Sequence, residues 1–135
     1  MAVTYSFDGR ILRLAFAGDY SAEDVVGVAD RAFADPALPR EVRLLVDVTR
    51  SGSLAGRSAE ELRAFVDRFR PWQSRIGTRS AVLVGSPLQF GLMRMVAAFG
   101  EKHGFNTRIF RTEAEAVDWL SQQPVQEASE RSERD

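Results

Sequence analysis

Short apolar runs alternate with strongly marked helix starts, and this alternation restricts the fold more than any other feature of the sequence. An N-cap with an acidic first turn begins at Ser21, and capping boxes begin at Ser58, Ser86 and Thr112. In such a box the hydroxyl accepts a backbone N–H at the third helical position, and a Glu or Gln reaches back to the cap. Alternation of strands with helices predicts a mostly parallel sheet with right-handed crossovers.

The apolar runs supply five strands. Residues 3–7 and 11–16 flank Asp8-Gly9, a strong hairpin turn, so the first pair is antiparallel. The remaining strands are predicted at residues 42–48, 80–85 and 107–111. The run at 80–85 is almost entirely apolar, which is typical of a central parallel strand. We therefore predict an α/β fold with a five-stranded mixed sheet and four helices, in the order β-β-α-β-α-β-α-β-α.

Composition limits the class of protein. The 135 residues carry a net charge of −1, which argues against a protein built mainly to hold nucleic acid. The absence of Cys and the single His exclude thiol chemistry and most zinc sites. We find no nucleophile–base pair, metal cluster or cofactor fingerprint, so we expect no enzyme, no cofactor and no metal. Neither a transmembrane segment nor a signal sequence is evident, so we expect a cytoplasmic protein.

One domain should cover residues 1–121. Residues 122–135 contain only one Val and one Ala as apolar residues, and we expect this polar tail to be disordered. The segment 50–79 is basic, with seven Arg against three acidic residues. Within it, Arg63 and Arg70 share a helix face. This face is either an ordinary solvated surface or a docking patch for an acidic partner or a lipid headgroup.

The helix beginning after Ser86 carries two apolar stripes. One consists of Leu88, Leu92, Met95, Val96 and Phe99, and the other of Phe90, Met93 and Ala97. A helix that is apolar on most of its circumference is covered on two sides. The second cover is another helix, a ligand or a second subunit, and the last case would make the protein a homodimer.

The second half of the sequence resembles the SpoIIAA-like proteins of the STAS/SEC14-related group, a group of bacterial proteins usually labelled as of unknown function. The similar pieces are Arg75-Ile76, the strand at 81–85, Arg108-Ile109-Phe110, and a closing helix with Glu115-Ala116 and Trp119-Leu120. The first half fits the same element order more loosely. The resemblance implies a SpoIIAA-like fold without catalytic machinery.

SEC14-like relatives carry lipids, so the resemblance implies a binding module that carries or senses a small non-polar ligand or lipid. Met93 is an adaptable lining residue for an irregular pocket. Aromatic side chains could close the same pocket: Phe65, Phe69, Trp72, Phe90 and Phe99. The loop at 49–58 could hold a polar head through Ser51 and Ser53, with Arg50 or Arg57 adding charge. The alternative is that these side chains fill the core and the loop is a plain connection.

A STAS-type regulatory protein that acts through a protein partner is the other function that the resemblance implies. In STAS anti-sigma-factor antagonists a phosphorylated serine lies in an Asp-Ser-x-Gly signature at a helix start. Here the same place holds Arg57-Ser58-Ala59-Glu60, so the serine is present without the Asp and Gly. Ser58 is therefore the candidate phosphorylation site, and Arg63 and Arg70 are the candidate partner-binding residues.

Overall fold

A single five-stranded sheet organises the protein. The computed structural model describes residues 2–76 and 79–122. The strands lie in the order β1-β2-β3-β4-β5, with β1 antiparallel to β2 and every other neighbouring pair parallel. They are β1 (Val3–Asp8), β2 (Ile11–Gly18), β3 (Arg43–Ser51), β4 (Ser80–Leu83) and β5 (Thr107–Phe110). The predicted α/β class with a mixed, mostly parallel sheet is confirmed.

Four helices of two turns or more connect or follow the strands, as predicted. They are α1 (Ala22–Ala34), α2 (Ala59–Phe69), α4 (Pro87–Glu101) and α5 (Glu113–Leu120), and α3 (Gln73–Ile76) is an additional single turn. Two 3-10 turns lie at Leu54–Gly56 and Arg70–Trp72. Among the described residues, no helix is long and apolar enough to cross a membrane.

The four predicted helix starts form, but their side chains act differently. The capping box at Ser58 is complete, and Ser21 forms a second complete box with Asp24. Ser86 accepts the Gln89 N–H, yet the Gln89 side chain does not return to the cap. Its Oε1 accepts the Gly85 N–H and its Nε2 donates to the Val48 carbonyl, at 2.7 and 2.9 Å. That amide therefore ties the start of α4 to β3 instead of closing a box.

Two predicted boundaries were wrong. The hairpin register pairs Asp8 with Ile11, so the turn residues are Gly9 and Arg10 instead of Asp8-Gly9. Gly9 has a φ of 58°, which suits a glycine at the first central position of a type II′ turn. The strand predicted at 42–48 continues to Ser51, because pairing with β2 resumes beyond an irregularity between Ala15 and Ala17.

Side chains alternate between the two faces of the sheet, and the helices divide between those faces. Leu12 and Leu44 pack in one cluster with buried residues of α1, while Val82 packs with Leu62 of α2 and Met93 of α4. Leu45 and its neighbours on the opposite face pack against α5, chiefly through Ala116, Trp119 and Leu120. Three helices thus cover one face and one helix covers the other.

The strand expected at the centre is internal. All four residues of β4 are buried between β3 and β5, which agrees with the apolar run predicted there. Residues 77–78 and nearly all of the predicted tail, from 123 onward, lie outside the described residues. The predicted division into a domain at 1–121 and a tail at 122–135 therefore stays a prediction.

Candidate functional site

An apolar cavity of about 130 Å³ lies between α2, α4 and the sheet face that these helices cover. It is partly open to solvent. Six of its lining residues are valines with short, stiff side chains: Val25, Val46, Val48, Val66, Val82 and Val96. The cavity is space between these elements in a core that is otherwise close-packed.

Three of the predicted ligand-binding residues line this cavity: Phe65, Phe69 and Met93. Trp72 instead stacks on Phe33 of α1, with ring centroids 5.1 Å apart and planes 14° from parallel. Phe90 lies beneath the Arg111 guanidinium, 4.9 Å from the ring centroid. The 3-10 turn after α2 directs Trp72 toward α1, so the predicted aromatic wall is only partly assembled.

Met93 lies inside the protein. It is 5% exposed and packs with Val48, Leu62 and Val82, whereas Leu88 on the same helix is 57% exposed. The expected stripe of Phe90, Met93 and Ala97 is therefore not one outward surface, because Met93 faces the sheet of its own chain. A homodimer through α4 stays a prediction, but Met93 would not form its contact.

The polar residues of the 49–58 segment bond to residues that line the cavity. Ser51 is buried at the end of β3, and its Oγ is 2.7 Å from the Tyr20 hydroxyl. Ser53 Oγ accepts a long hydrogen bond of 3.4 Å from Arg57 Nη2. Neither serine lines the cavity, while Tyr20 and Arg57 do. Ser51 and Ser53 therefore contact the lining residues Tyr20 and Arg57, and their predicted role in holding a polar head stays a prediction.

Arg57 brings a charge to the apolar cavity. Its side chain is only 12% exposed, and its guanidinium carbon lies 4.7 Å from the Tyr20 ring centroid and 4.9 Å from that of Phe65. Nη2 also donates to the Tyr20 carbonyl oxygen, and Nη1 lies 3.5 Å from Glu61 Oε2. From the sequence Arg57 is one of two charges on a loop; its place in the cavity depends on Tyr20, 37 residues away.

The candidate regulatory residues lie on and beside the same helix. Ser58 Oγ accepts the Glu61 N–H at 3.1 Å, and Glu61 Oε1 accepts the Ser58 N–H at 3.2 Å. Arg63 and Arg70 are exposed, and the Arg63 guanidinium lies 4.6 Å from the Phe99 ring centroid. The phosphorylation of Ser58 and partner binding at Arg63 and Arg70 stay predictions.

A separate charged group lies on the sheet face that α5 covers. Arg13 donates to Asp47 at 2.7 Å and also to Glu113, and Asp47 Oδ1 accepts the Thr49 N–H at 3.0 Å. Burial raises the pKa of Asp47, but hydrogen bonds from Thr49 and Arg13 outweigh it and lower that pKa. A carboxylate held ionised in this way is a poor general base. Within the described ranges, no cluster of three or more His, Asp or Glu residues could hold a metal.

Solved structures identify the fold. The chain is similar to an uncharacterized protein of the DUF3478 family from Shewanella loihica PV-4, whose crystal structure has a SpoIIAA-like fold. The two chains share 19% sequence identity with a TM-score of 0.60, over 88% of this chain and 92% of the other. No protein-family model and no curated protein matches this sequence. The resemblance predicted from residues 75–120 is therefore confirmed at the level of fold: the protein has a SpoIIAA-like fold.

Proposed function

We propose that this protein is a non-catalytic cytoplasmic domain that binds a small non-polar molecule between α2, α4 and the sheet. The observation that carries the proposal is the apolar cavity of about 130 Å³. An engineered apolar cavity of ~150 Å³, slightly larger than this one, remains dry and binds benzene, so a ligand of about one ring matches the space. Its lining combines aromatic walls with Met93, which adapts to irregular shapes.

The cavity volume narrows the ligand class. Sites for drug-sized molecules usually enclose roughly 300–1,000 Å³, well above the space available here. The enclosed space therefore fits only a small part of a lipid. We therefore propose a sensor or carrier of a single ring or a short acyl chain, and not a carrier of a whole lipid.

Binding of toluene, followed by protein NMR, tests the proposal. Toluene should shift resonances of Val66, Val82 and Met93, which line the cavity from three different elements. Val66→Phe should abolish the shifts because the larger side chain occupies the cavity. Ala64→Phe is the matched control, since Ala64 is exposed on the same helix and is not part of the lining. No saturable shift in wild-type protein, or equal binding by Val66→Phe, would refute the proposal.

Regulation through a protein partner is the second candidate function, and the SpoIIAA-like fold favours it. A phosphate on Ser58 would lie at the start of α2, where the helix dipole favours negative charge, but beside the Glu61 carboxylate. Capture of partners from the native host should differ between Ser58→Asp and Ser58→Ala if such a switch exists. Charge reversal of Arg63 and Arg70 should then remove the same partners. Identical partner sets for all variants would contradict a switch.

A further inference from the structure

The cavity contains one feature that an entirely non-polar ligand would not use. Arg57 is the single charged side chain among the described residues that line it. We propose that the natural ligand is a small apolar monocarboxylic acid, about the size of benzoate, whose carboxylate pairs with Arg57. This inference rests on the proposed function, because it assumes that the cavity takes a ligand at all.

The hydrogen-bonding capacity of Arg57 is incompletely used. Its Nε is buried and has no hydrogen-bond partner among the described residues. Nη1 reaches Glu61 only at 3.5 Å, beyond the usual range for a charged donor, whereas Nη2 donates to the Tyr20 carbonyl and lies 3.4 Å from Ser53 Oγ. Native proteins satisfy most buried donors, so the unpartnered Nε–H of the one charged side chain lining the cavity favours an acceptor that reaches it after a small shift of that side chain.

The position of the guanidinium agrees with such an acceptor. It lies over the rings of Tyr20 and Phe65, and both rings line the cavity. The Tyr20 hydroxyl is fixed by the buried Ser51, and the Tyr20 carbonyl accepts from Nη2. Arg57 is therefore held at the apolar space by contacts on several sides, which lowers the entropy cost of pairing with a ligand.

A monoanion fits this charge balance better than a phosphate. Arginine pairs with a carboxylate through two parallel N–H···O bonds, and here the two donors would be Nε and the N–H of Nη2 that is not donated to the Tyr20 carbonyl. Glu61, whose carboxylate lies 3.5 Å from Nη1, is 53% exposed and already accepts the Ser58 N–H. A dianion would meet one guanidinium and this like charge, whereas a monocarboxylate needs only the one cation.

Titrations with benzoate, benzamide and toluene test the inference. Benzamide has nearly the shape of benzoate without the charge, so wild-type protein should bind benzoate about tenfold more tightly or better. Arg57→Gln should remove this preference and retain toluene binding, and Arg57→Lys should keep part of it. Arg63→Gln is the control, because Arg63 lies outside the cavity lining and its loss should leave the preference unchanged.

The outcomes separate the two proposals. If toluene binds but wild-type protein does not prefer benzoate, the inference is wrong and the apolar site remains. If the preference persists in Arg57→Gln, the charge comes from elsewhere and the inference is again wrong. If no probe binds, the proposed function fails and the inference fails with it. Should Arg57→Gln not fold, the wild-type benzoate-to-benzamide ratio and the Lys variant decide the question.

Discussion

Replacing Met93 by Ala tests whether the inner surface of α4 belongs to the core of a single chain. Met93 is 5% exposed, so the change removes about three CH₂ equivalents, each worth ~0.8 kcal/mol of burial. Buried Met→Ala changes cost about 2–5 kcal/mol in general. Because Met93 already borders a cavity, it has fewer neighbouring atoms to lose. We therefore expect a loss of about 2–3 kcal/mol, near the lower end of that range.

Urea unfolding of wild-type protein and Met93→Ala, each at two widely separated protein concentrations, measures this loss. A single-chain core predicts the same loss at both concentrations and a fall in Tm of about 10 °C. Met95→Ala is the matched control: it has the same chemistry on the same helix, is half-buried and lies outside the cavity lining. Its cost should remain below about 1 kcal/mol. A loss below that value for Met93→Ala, or one that depends on concentration, would place Met93 in an interface and contradict the packing described above.

Three further changes address the caps and the charged group. Ser58→Ala should lower the free energy of unfolding by about 1 kcal/mol, measured in urea, because it removes one half of a complete capping box. An unchanged urea midpoint would show that the box does not contribute to stability. Gly104 has a φ of 86°, and a Cβ added there would lie 3.0 Å from Gln73 Nε2. Gly104→Ala should therefore strain the backbone and lower Tm. An equal or higher Tm would show that the backbone at this position is not strained by a side chain. The lowered pKa of Asp47 adds stability that is complete above about pH 4 and is lost as pH falls through the folded-state pKa. Asp47→Asn should therefore flatten the acid side of the stability curve between about pH 4 and 2, and parallel curves would show that the Arg13 pair has no such role.

Local signals in the sequence were sufficient for most of the fold. Hydroxyl caps at Ser21, Ser58, Ser86 and Thr112 each begin a helix, because a cap depends only on residues within one turn. The positive φ of Gly104 was also foreseeable, since a glycine after a helix is the usual left-handed residue. Strand ends were less predictable. The extension of β3 to Ser51 depends on pairing with Gly18, which is distant in sequence.

The candidate site was predictable only in part. The sequence indicated Phe65, Phe69 and Met93 through apolar spacing on two helices, and these residues do line one cavity. The sequence also predicted Trp72 and Phe90, which do not line the cavity. Helical spacing shows which residues share a face, but it does not show which element packs against that face.

Only the tertiary structure decided which side chains surround the cavity and what charge reaches it. The space lies between β3, β4, α2 and α4, which are distant in sequence and each contribute a valine to its lining. Arg57 enters it because α1 begins next to Tyr20, whose ring and carbonyl hold the guanidinium. Helix starts and apolar periodicity are properties of neighbouring residues, so the sequence alone determined them. A cavity and its buried charge result from the packing of several elements, so no local pattern encodes them.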